Sequence, residues 1–191
     1  MALFPLFINL EEKNVLIIGG GKVALRKIEK LLPFNPNLKV ISKEFLKETE
    51  YLLKENNIPF EKRSFTFEDL KNIDIVIVAV DDIKLQKEIF QFTRGKNILV
   101  NAVDSPAYCD FIFPSYVKKG DLVIGITTSG KAPGLSAKIR QLIEKSLPEN
   151  IEEILQKISS FRESLPKGEK RQKETLRFIE EIFKKLPPKG Q

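Results

Sequence analysis

The sequence has no histidine and only one cysteine, Cys109, in 191 residues. Without histidine the usual proton carrier near neutral pH is missing. Ser–His and Cys–His nucleophile pairs and histidine-rich metal sites are excluded with it. One thiol makes no intrachain disulfide, and the neighbours of Cys109 show no metal-ligand spacing. With no base to activate it, Cys109 reads as a small packed residue rather than a nucleophile. Long hydrophobic runs are also missing, since none approaches the roughly 18 to 20 residues needed to cross a bilayer. The opening MALFPLFINLEEK lacks the basic start and cleavage site of a secretory signal. There is no internal repeat and no low-complexity stretch. The expected location is the cytoplasm.

What is present is ordinary for a soluble globular chain: 42% hydrophobic and 30% charged residues, long enough to bury a real core. The net charge of +6 comes from interspersed Lys and Glu, the pattern of solvated helix faces. The same excess suits a ligand carrying many carboxylates. No basic stripe with interleaved aromatics and no recognition motif indicates nucleic acid.

The first hundred residues alternate between strand and helix patterns. NVLIIG (14–19) is a continuous apolar run followed by KVALRKIEKLL (22–32), where Ala24, Ile28, Leu31 and Leu32 share a helical face. LKVIS (38–42) is a second strand; a helix then places Phe45, Thr49, Leu52 and Leu53 inward, before a short extended piece near IPFEKRSF. IDIVIVAV (73–80) is the clearest strand, and a helix with Leu85, Ile89 and Phe92 on one side leads to ILVNAV (98–103). Buried strands separated by helices imply an α/β fold, a Rossmann-type doubly wound parallel sheet. After it, FIFPSYVKKGDLVIGITTSG reads as short strands with a turn at KKGD. Helical stripes follow: Ile139, Leu142, Ile143 and Leu147; then Ile151, Ile154, Leu155, Ile158 and Phe161; then Leu176, Ile179, Phe183 and Leu186. Such a tail either folds back on the sheet or pairs with a second copy, and pairing is the expectation.

Three places along this plan carry chemistry. IIGGGKVALRK sets Gly19, Gly21 and Ala24 as G-x-G-x-x-A between a strand and a helix. Gly19 allows the tight turn, Gly21 lets a pyrophosphate approach beside Gly20, and Ala24 permits close helix–strand packing. The N–H groups at Lys22 and Val23 face the anion. At the end of the second strand such a site ordinarily has Asp or Glu for the ribose. Here VISKE offers Ser42 and Lys43, with Glu44 one place late. Ser42 suits a ribose hydroxyl and Lys43 tolerates a 2′-phosphate, which leaves NAD and NADP both open. AVDD places Ala79, Val80 and Asp81 where adenine or ribose passes, although its carboxylates serve equally as helix caps.

Asp104 ends the fifth strand-like run and is expected at the same rim, because ligands of open parallel sheets bind outside the strands' carboxyl ends. DSP suits an Asx-turn or a cap; in a chain without histidine, Asp104 is equally the natural acid or base. The third place is TTSGKAPGLSAKIR (127–140), a loop running from strand to helix. Thr127, Thr128, Ser129 and the N–H groups near Gly130 are donors, while Lys131, Lys138 and Arg140 add charge, which together suit carboxylates. The plainer reading is a polar loop with a solvated helix face.

The chain resembles the precorrin-2 dehydrogenase/sirohydrochlorin ferrochelatase family, the N-terminal module of siroheme synthases. The resemblance covers essentially the whole chain through FPLFINLEEKNVLIIGGGKVALRK, VAVDD, VNAVDSPAYCDFIFPS and ITTSGKAPGLSAKIR. The glycine motif is common to many enzymes, whereas VN-x-VD, F-I-x-P and TSGKAP in that order are specific. The resemblance implies oxidation of precorrin-2 to sirohydrochlorin with NAD as hydride acceptor, in siroheme biosynthesis. It implies a Rossmann domain (1–113), a dimerisation and substrate-binding region (114–147) and a helical C-terminal domain (148–191), in a homodimer. Asp104 matches the family's catalytic aspartate, Lys22 and Val23 its pyrophosphate-side contacts, and Lys43 and Glu44 the stretch beside the adenosine ribose. Asn101 and residues 127–131 fall on the substrate side, and Thr128 stands where some relatives have a phosphorylatable serine. Insertion of ferrous iron into sirohydrochlorin, with Asp104 serving both reactions, is the nearer alternative. A non-catalytic NAD(H)-sensing module, which needs only the glycine loop, is the further one.

Overall fold

The computed structural model describes residues 3–103 and 105–185. They form two units: Leu6–Ile112, and the described part of Phe113–Gln191 together with the N-terminal stretch up to Pro5.

The first unit is a five-stranded parallel sheet of β1 (Asn14–Ile18), β2 (Asn37–Ser42), β3 (Phe60–Lys62), β4 (Ile75–Val78) and β5 (Leu99–Ala102), in the order β3-β2-β1-β4-β5. Val15, Leu16, Ile17, Val76, Ile77 and Val78 are all fully buried. Burial of consecutive residues requires cover on both faces, which is why these strands read as unbroken apolar runs. Helices α1 (Lys22–Leu31), α2 (Lys47–Glu55) and α3 (Ile83–Thr93) make the crossovers. The chain runs β1 to β3 toward one edge, then returns to β4 and β5, so the order reverses between β1 and β4. Pairing of Ile18 with Ile41 and Val78, and of Val78 with Ala102, brings the carboxyl ends of four strands to one rim. That reversal point is where doubly wound sheets take their ligands.

α1 buries Ala24, Ile28 and Leu31. It stops at Leu31 because Pro33 enters a short 3-10 turn, Leu32–Phe34, and Asn35 takes φ 49°. α2 buries Thr49 and Leu53. In α3 the inward residues are Gln86, Ile89 and Thr93. Phe92, expected inside, is 40% exposed and packs on Phe67 with ring centroids 4.7 Å apart. The α3 stripe is turned toward a polar residue, Gln86, which the sheet's rim engages.

The second unit begins with an antiparallel hairpin, β6 (Ser115–Lys119) and β7 (Leu122–Ile126), turning at Gly120 with φ 54°. Helices α4 (Pro133–Ser146), α5 (Ile151–Ser164) and α6 (Glu169–Lys184) follow. α5 and α6 pack together through Phe161 and Phe178, stacked at 4.3 Å. The α6 stripe differs from expectation. Thr175 is its buried residue, while Leu176 and Phe183 are 54% and 49% exposed; Leu186 lies outside the described residues. Pairing with α5 selects the face that carries Phe178 and leaves the Leu176–Phe183 face outward. Leu135 and Leu142 on α4 are exposed as well.

Candidate functional site

The glycine loop is built by close approach on two sides and open space on the third. Gly19 has φ +126°, and a Cβ there would lie 2.4 Å from the Ala79 carbonyl oxygen. Only glycine meets both demands. A Cβ on Gly20 would lie 2.3 Å from the Glu44 carbonyl oxygen, and the Leu46 N–H donates to the Gly20 carbonyl at 3.0 Å. The loop after β2 is thereby seated on the glycine turn. A Cβ on Gly21 would meet nothing within 4 Å among the described residues. This opening stands at the start of α1, whose N-cap Gly21 supplies no side chain and whose first turn holds no acidic residue. The N–H groups of Lys22, Val23 and Ala24 therefore have no intrahelical acceptor, and the positive end of the helix dipole lies beside that opening. Lys22 and Val23 are exposed beside it. An uncapped helix start with room in front suits a pyrophosphate.

Around this cradle the rim residues divide. The Ser42 hydroxyl donates to the Glu44 carbonyl within its own loop at 2.6 Å, so toward a ribose it offers lone pairs and no proton. Lys43 and Glu44 are exposed. Ala79 and Val80 pack against Gly19. The carboxylates of AVDD take separate roles. Asp82 accepts from the Leu85 N–H at 3.0 Å and caps α3, whereas Asp81 is exposed at the rim.

Asp104 lies outside the described residues. Its neighbours are held firmly. The Val103 N–H donates to the Val78 carbonyl at 3.0 Å, and the Ser105 N–H to the Ala102 carbonyl at 3.3 Å. The returning segment is bound back onto β5. Asp110 takes both terminal nitrogens of Arg94 at 2.7 Å, accepts the Val100 N–H at 2.9 Å, and donates its own N–H to the Val100 carbonyl at 2.8 Å. The Arg94 guanidinium holds the Asp110 carboxyl below its usual range. The Cys109 thiol donates to the Ala102 carbonyl at 3.1 Å and accepts the Ala102 N–H at 3.2 Å. Burial pushes this thiol up, so it is packed and poorly nucleophilic, in keeping with its sequence reading. Asn101, expected on the substrate side, has a structural contact of its own. It is 5% exposed, and its amide donates to the Phe111 carbonyl at 2.9 Å, so it ties the return segment to β5.

In the second unit, the loop after β7 is closed on itself. The Thr128 hydroxyl oxygen accepts the Ala132 N–H at 3.1 Å and lies 3.1 Å from the Ser136 hydroxyl; the Thr127 hydroxyl accepts the Ser129 N–H at 3.0 Å. Ser129 and Gly130 take φ 55° and 79°. The N–H groups of Leu135 and Ser136 turn back to the Ala132 carbonyl, and Pro133 has none. The start of α4 thus presents fewer free donors than the sequence suggested, because its threonines shape the loop. Lys131 remains exposed at its tip.

Three residues escaped the sequence reading. Arg94 and Asp110 stand 16 positions apart, and nothing local marks them as partners. Gln86 left a trace, an amide three residues before Ile89 on the inward face of a helix.

Two family models match the chain. One, described as "Putative NAD(P)-binding", matches residues 6–115. The chain belongs to this NAD(P)-binding family. The other, described as "Sirohaem biosynthesis protein central", matches residues 119–146. The siroheme synthase of Buchnera aphidicola is 36% identical over 183 residues, which is 96% of this chain and 39% of that protein. The siroheme synthase of Ruthia magnifica is 35% identical over 165 residues, 86% of this chain and 35% of that protein. The chain thus spans less than two fifths of the length of these relatives. Among solved structures, one titled "SirC, precorrin-2 dehydrogenase" superposes with a TM-score of 0.70 at 22% identity, covering 94% of this chain and 89% of its own. That likeness extends the shared fold from the NAD(P)-binding domain through the helical tail.

Proposed function

We propose that this chain is a precorrin-2 dehydrogenase of siroheme biosynthesis, acting in the cytoplasm with NAD. The observation that carries the proposal is the open space at Gly21 before the uncapped α1 N-terminus, at the rim where β5 ends two residues before Asp104. The siroheme synthase names of the relatives and the ordered motifs support the choice of substrate.

NAD, when bound, supplies the hydride acceptor. Gly19, Gly20 and Gly21 with the N–H groups of Lys22 and Val23 hold its pyrophosphate. Ser42, Lys43, Glu44, Ala79, Val80 and Asp81 flank the adenosine. Of the exposed pair in this loop, Glu44 suits the free 2′-hydroxyl of NAD and Lys43 a 2′-phosphate. Asp104 takes the proton released as the macrocycle is oxidised, and such general-base help is typically worth ~10²- to 10⁴-fold. Precorrin-2 is rich in carboxylates, which suits the net charge of +6 and the exposed Lys131. Residues 114–147 serve substrate and dimer contacts, with Thr127, Thr128, Ser129 and Gly130 shaping the loop that carries Lys131, and 148–191 form the helical part. A second copy of the chain covers the exposed Leu135, Leu142, Leu176 and Phe183.

The test is an anaerobic assay with precorrin-2 and NAD, following NADH and sirohydrochlorin optically, then adding ferrous iron. NADH formed in step with sirohydrochlorin is the expected result, and Asp104→Ala should bind NAD normally while losing most turnover. Iron insertion faster than the uncatalysed control would make the enzyme bifunctional. Tight NAD binding without any NADH would replace the dehydrogenase by an NAD(H) sensor.

A further inference from the structure

We propose that Gln86 is a positioning residue that ties the cofactor side of the rim to the Asp104 side. Gln86 is 2% exposed on the inward face of α3, four residues past its N-cap Asp82. Its amide nitrogen donates to the Val80 carbonyl at 2.9 Å and to the Val103 carbonyl at 3.3 Å. Both acceptors lie beyond the strand ends, β4 stopping at Val78 and β5 at Ala102. The last sheet bond in this region is the Val103 N–H to the Val78 carbonyl. Past it Gln86 links the two segments through its side chain.

The amide's orientation follows from chemistry. Two carbonyls face one end of the side chain, so that end must be NH₂. The other end, Oε1, is buried with no hydrogen-bond partner among the described residues. A buried orphan acceptor is unfavourable, and an apolar residue of the same length would avoid it. The arrangement makes sense as a tether. Val80 belongs to the loop whose Ala79 carbonyl abuts Gly19, and its Cγ1 would lie 3.3 Å from a Cβ on Gly19. The Val103 carbonyl belongs to the planar peptide unit that leads into Asp104. One side chain therefore fixes the spacing between the glycine turn and the segment carrying the proposed base. This inference rests on the dehydrogenase reading for its catalytic consequence, and on geometry alone for the tether.

The test uses Gln86→Met, which keeps length and burial but removes both donors. Hydrogen exchange of the NAD-free protein should accelerate together in residues 79–85 and 99–110, with α2 and β6–β7 unchanged. In steady state kcat should fall ~10-fold or more with both KM values within about threefold, since a small misplacement near reacting groups can cost ~10²-fold. Exchange that rises in one segment only, or in neither, overturns the tether. A lowered Tm with kcat unchanged at permissive temperature overturns the positioning role and leaves Gln86 a packing residue. A wild-type protein that forms no NADH from precorrin-2 refutes the dehydrogenase reading, and the exchange arm then decides the tether on its own.

Discussion

Gly20 sits so close to the loop after β2 that a Cβ on it would come within 2.3 Å of the Glu44 carbonyl oxygen. Gly21, the next residue, has nothing within 4 Å of that position among the described residues, and its φ of −85° suits any L-residue. The two glycines should therefore respond differently to alanine. Gly20→Ala must push the loop away and should lower Tm measurably. Gly21→Ala should fold with nearly unchanged stability, since the ~0.4–1 kcal/mol that a compatible Gly→Ala change typically adds is offset by the poorer fit of alanine at an N-cap. Its methyl group fills the pyrophosphate space, so NAD affinity should drop at least tenfold. Calorimetric titration with NAD beside a thermal melt separates these outcomes. Unaltered affinity in Gly21→Ala would show that the cofactor does not use this opening.

The Arg94–Asp110 fork predicts how stability responds to acid. The Asp110 carboxyl is held below its ordinary pKa by Arg94. A depressed folded pKa contributes stability that is fully present above the unfolded value and is lost as pH falls through the folded one. Arg94 is 45% exposed along its side chain, so screening limits the contribution to about 1 kcal/mol. Asp110→Asn should cost about that much at pH 7 and flatten the loss of stability that begins near pH ~4, where the carboxyl of the unfolded chain takes up its proton while the folded one still resists it. Urea midpoints across that range measure both effects. Identical acid profiles for the two proteins would remove this ion pair from the stability account.

Much of the sheet was legible in the sequence because strands buried on both faces leave continuous apolar runs, as in NVLII and IVIV. The glycine turn was legible for a related reason: its spacing only makes sense between such a strand and a helix. Side-chain directions were harder to read. Phe92 lies at a helical position that pattern alone assigns to the core, yet the inward face is set by Gln86 and Thr93, and Phe92 meets Phe67 at the edge. Leu176 and Phe183 form a real stripe, but a stripe names no partner, and α5 meets the face carrying Phe178 instead. The threonines at 127 and 128 looked like donors for a ligand because their hydroxyl bonding to Ser129, Ala132 and Ser136 depends on loop closure.

Cys109 gives a prediction of inertness. Burial raises its pKa, so at a given pH less thiolate is present than in the unfolded chain. Alkylation by iodoacetamide at pH 8 should be slow in the native protein and fast in denaturant. The sulfur also accepts the Ala102 N–H, which Cys109→Ser can replace and Cys109→Ala cannot. Leaving a buried N–H unpaired costs ~1–3 kcal/mol, so the Ala variant should melt lower than the Ser variant. Both should retain turnover within about threefold, because neither removes a group that meets substrate. Loss of activity in both, with folding intact, would give the thiol a chemical role.

The exposed face of α6 leads to a prediction about assembly. Leu176 is 54% and Phe183 49% exposed, and they lie seven residues apart, two turns along one side of the helix. On α4, Leu135 and Leu142 repeat the same spacing with 54% and 57% exposure. Apolar residues spaced by whole turns leave an apolar strip on each of the two helices, and burial of each leucine- or phenylalanine-sized side chain is worth roughly 1.5–3 kcal/mol. A self-complementary contact between two copies uses each residue twice, which multiplies the effect of a single change. Wild-type protein should sediment as a dimer at micromolar concentration, and Leu176→Glu with Phe183→Ser should sediment as a folded monomer with unchanged far-ultraviolet dichroism. The glycine cradle belongs to the other unit, so that monomer should still bind NAD. A wild-type monomer, or a double variant that stays dimeric, would show that this face does not join the copies.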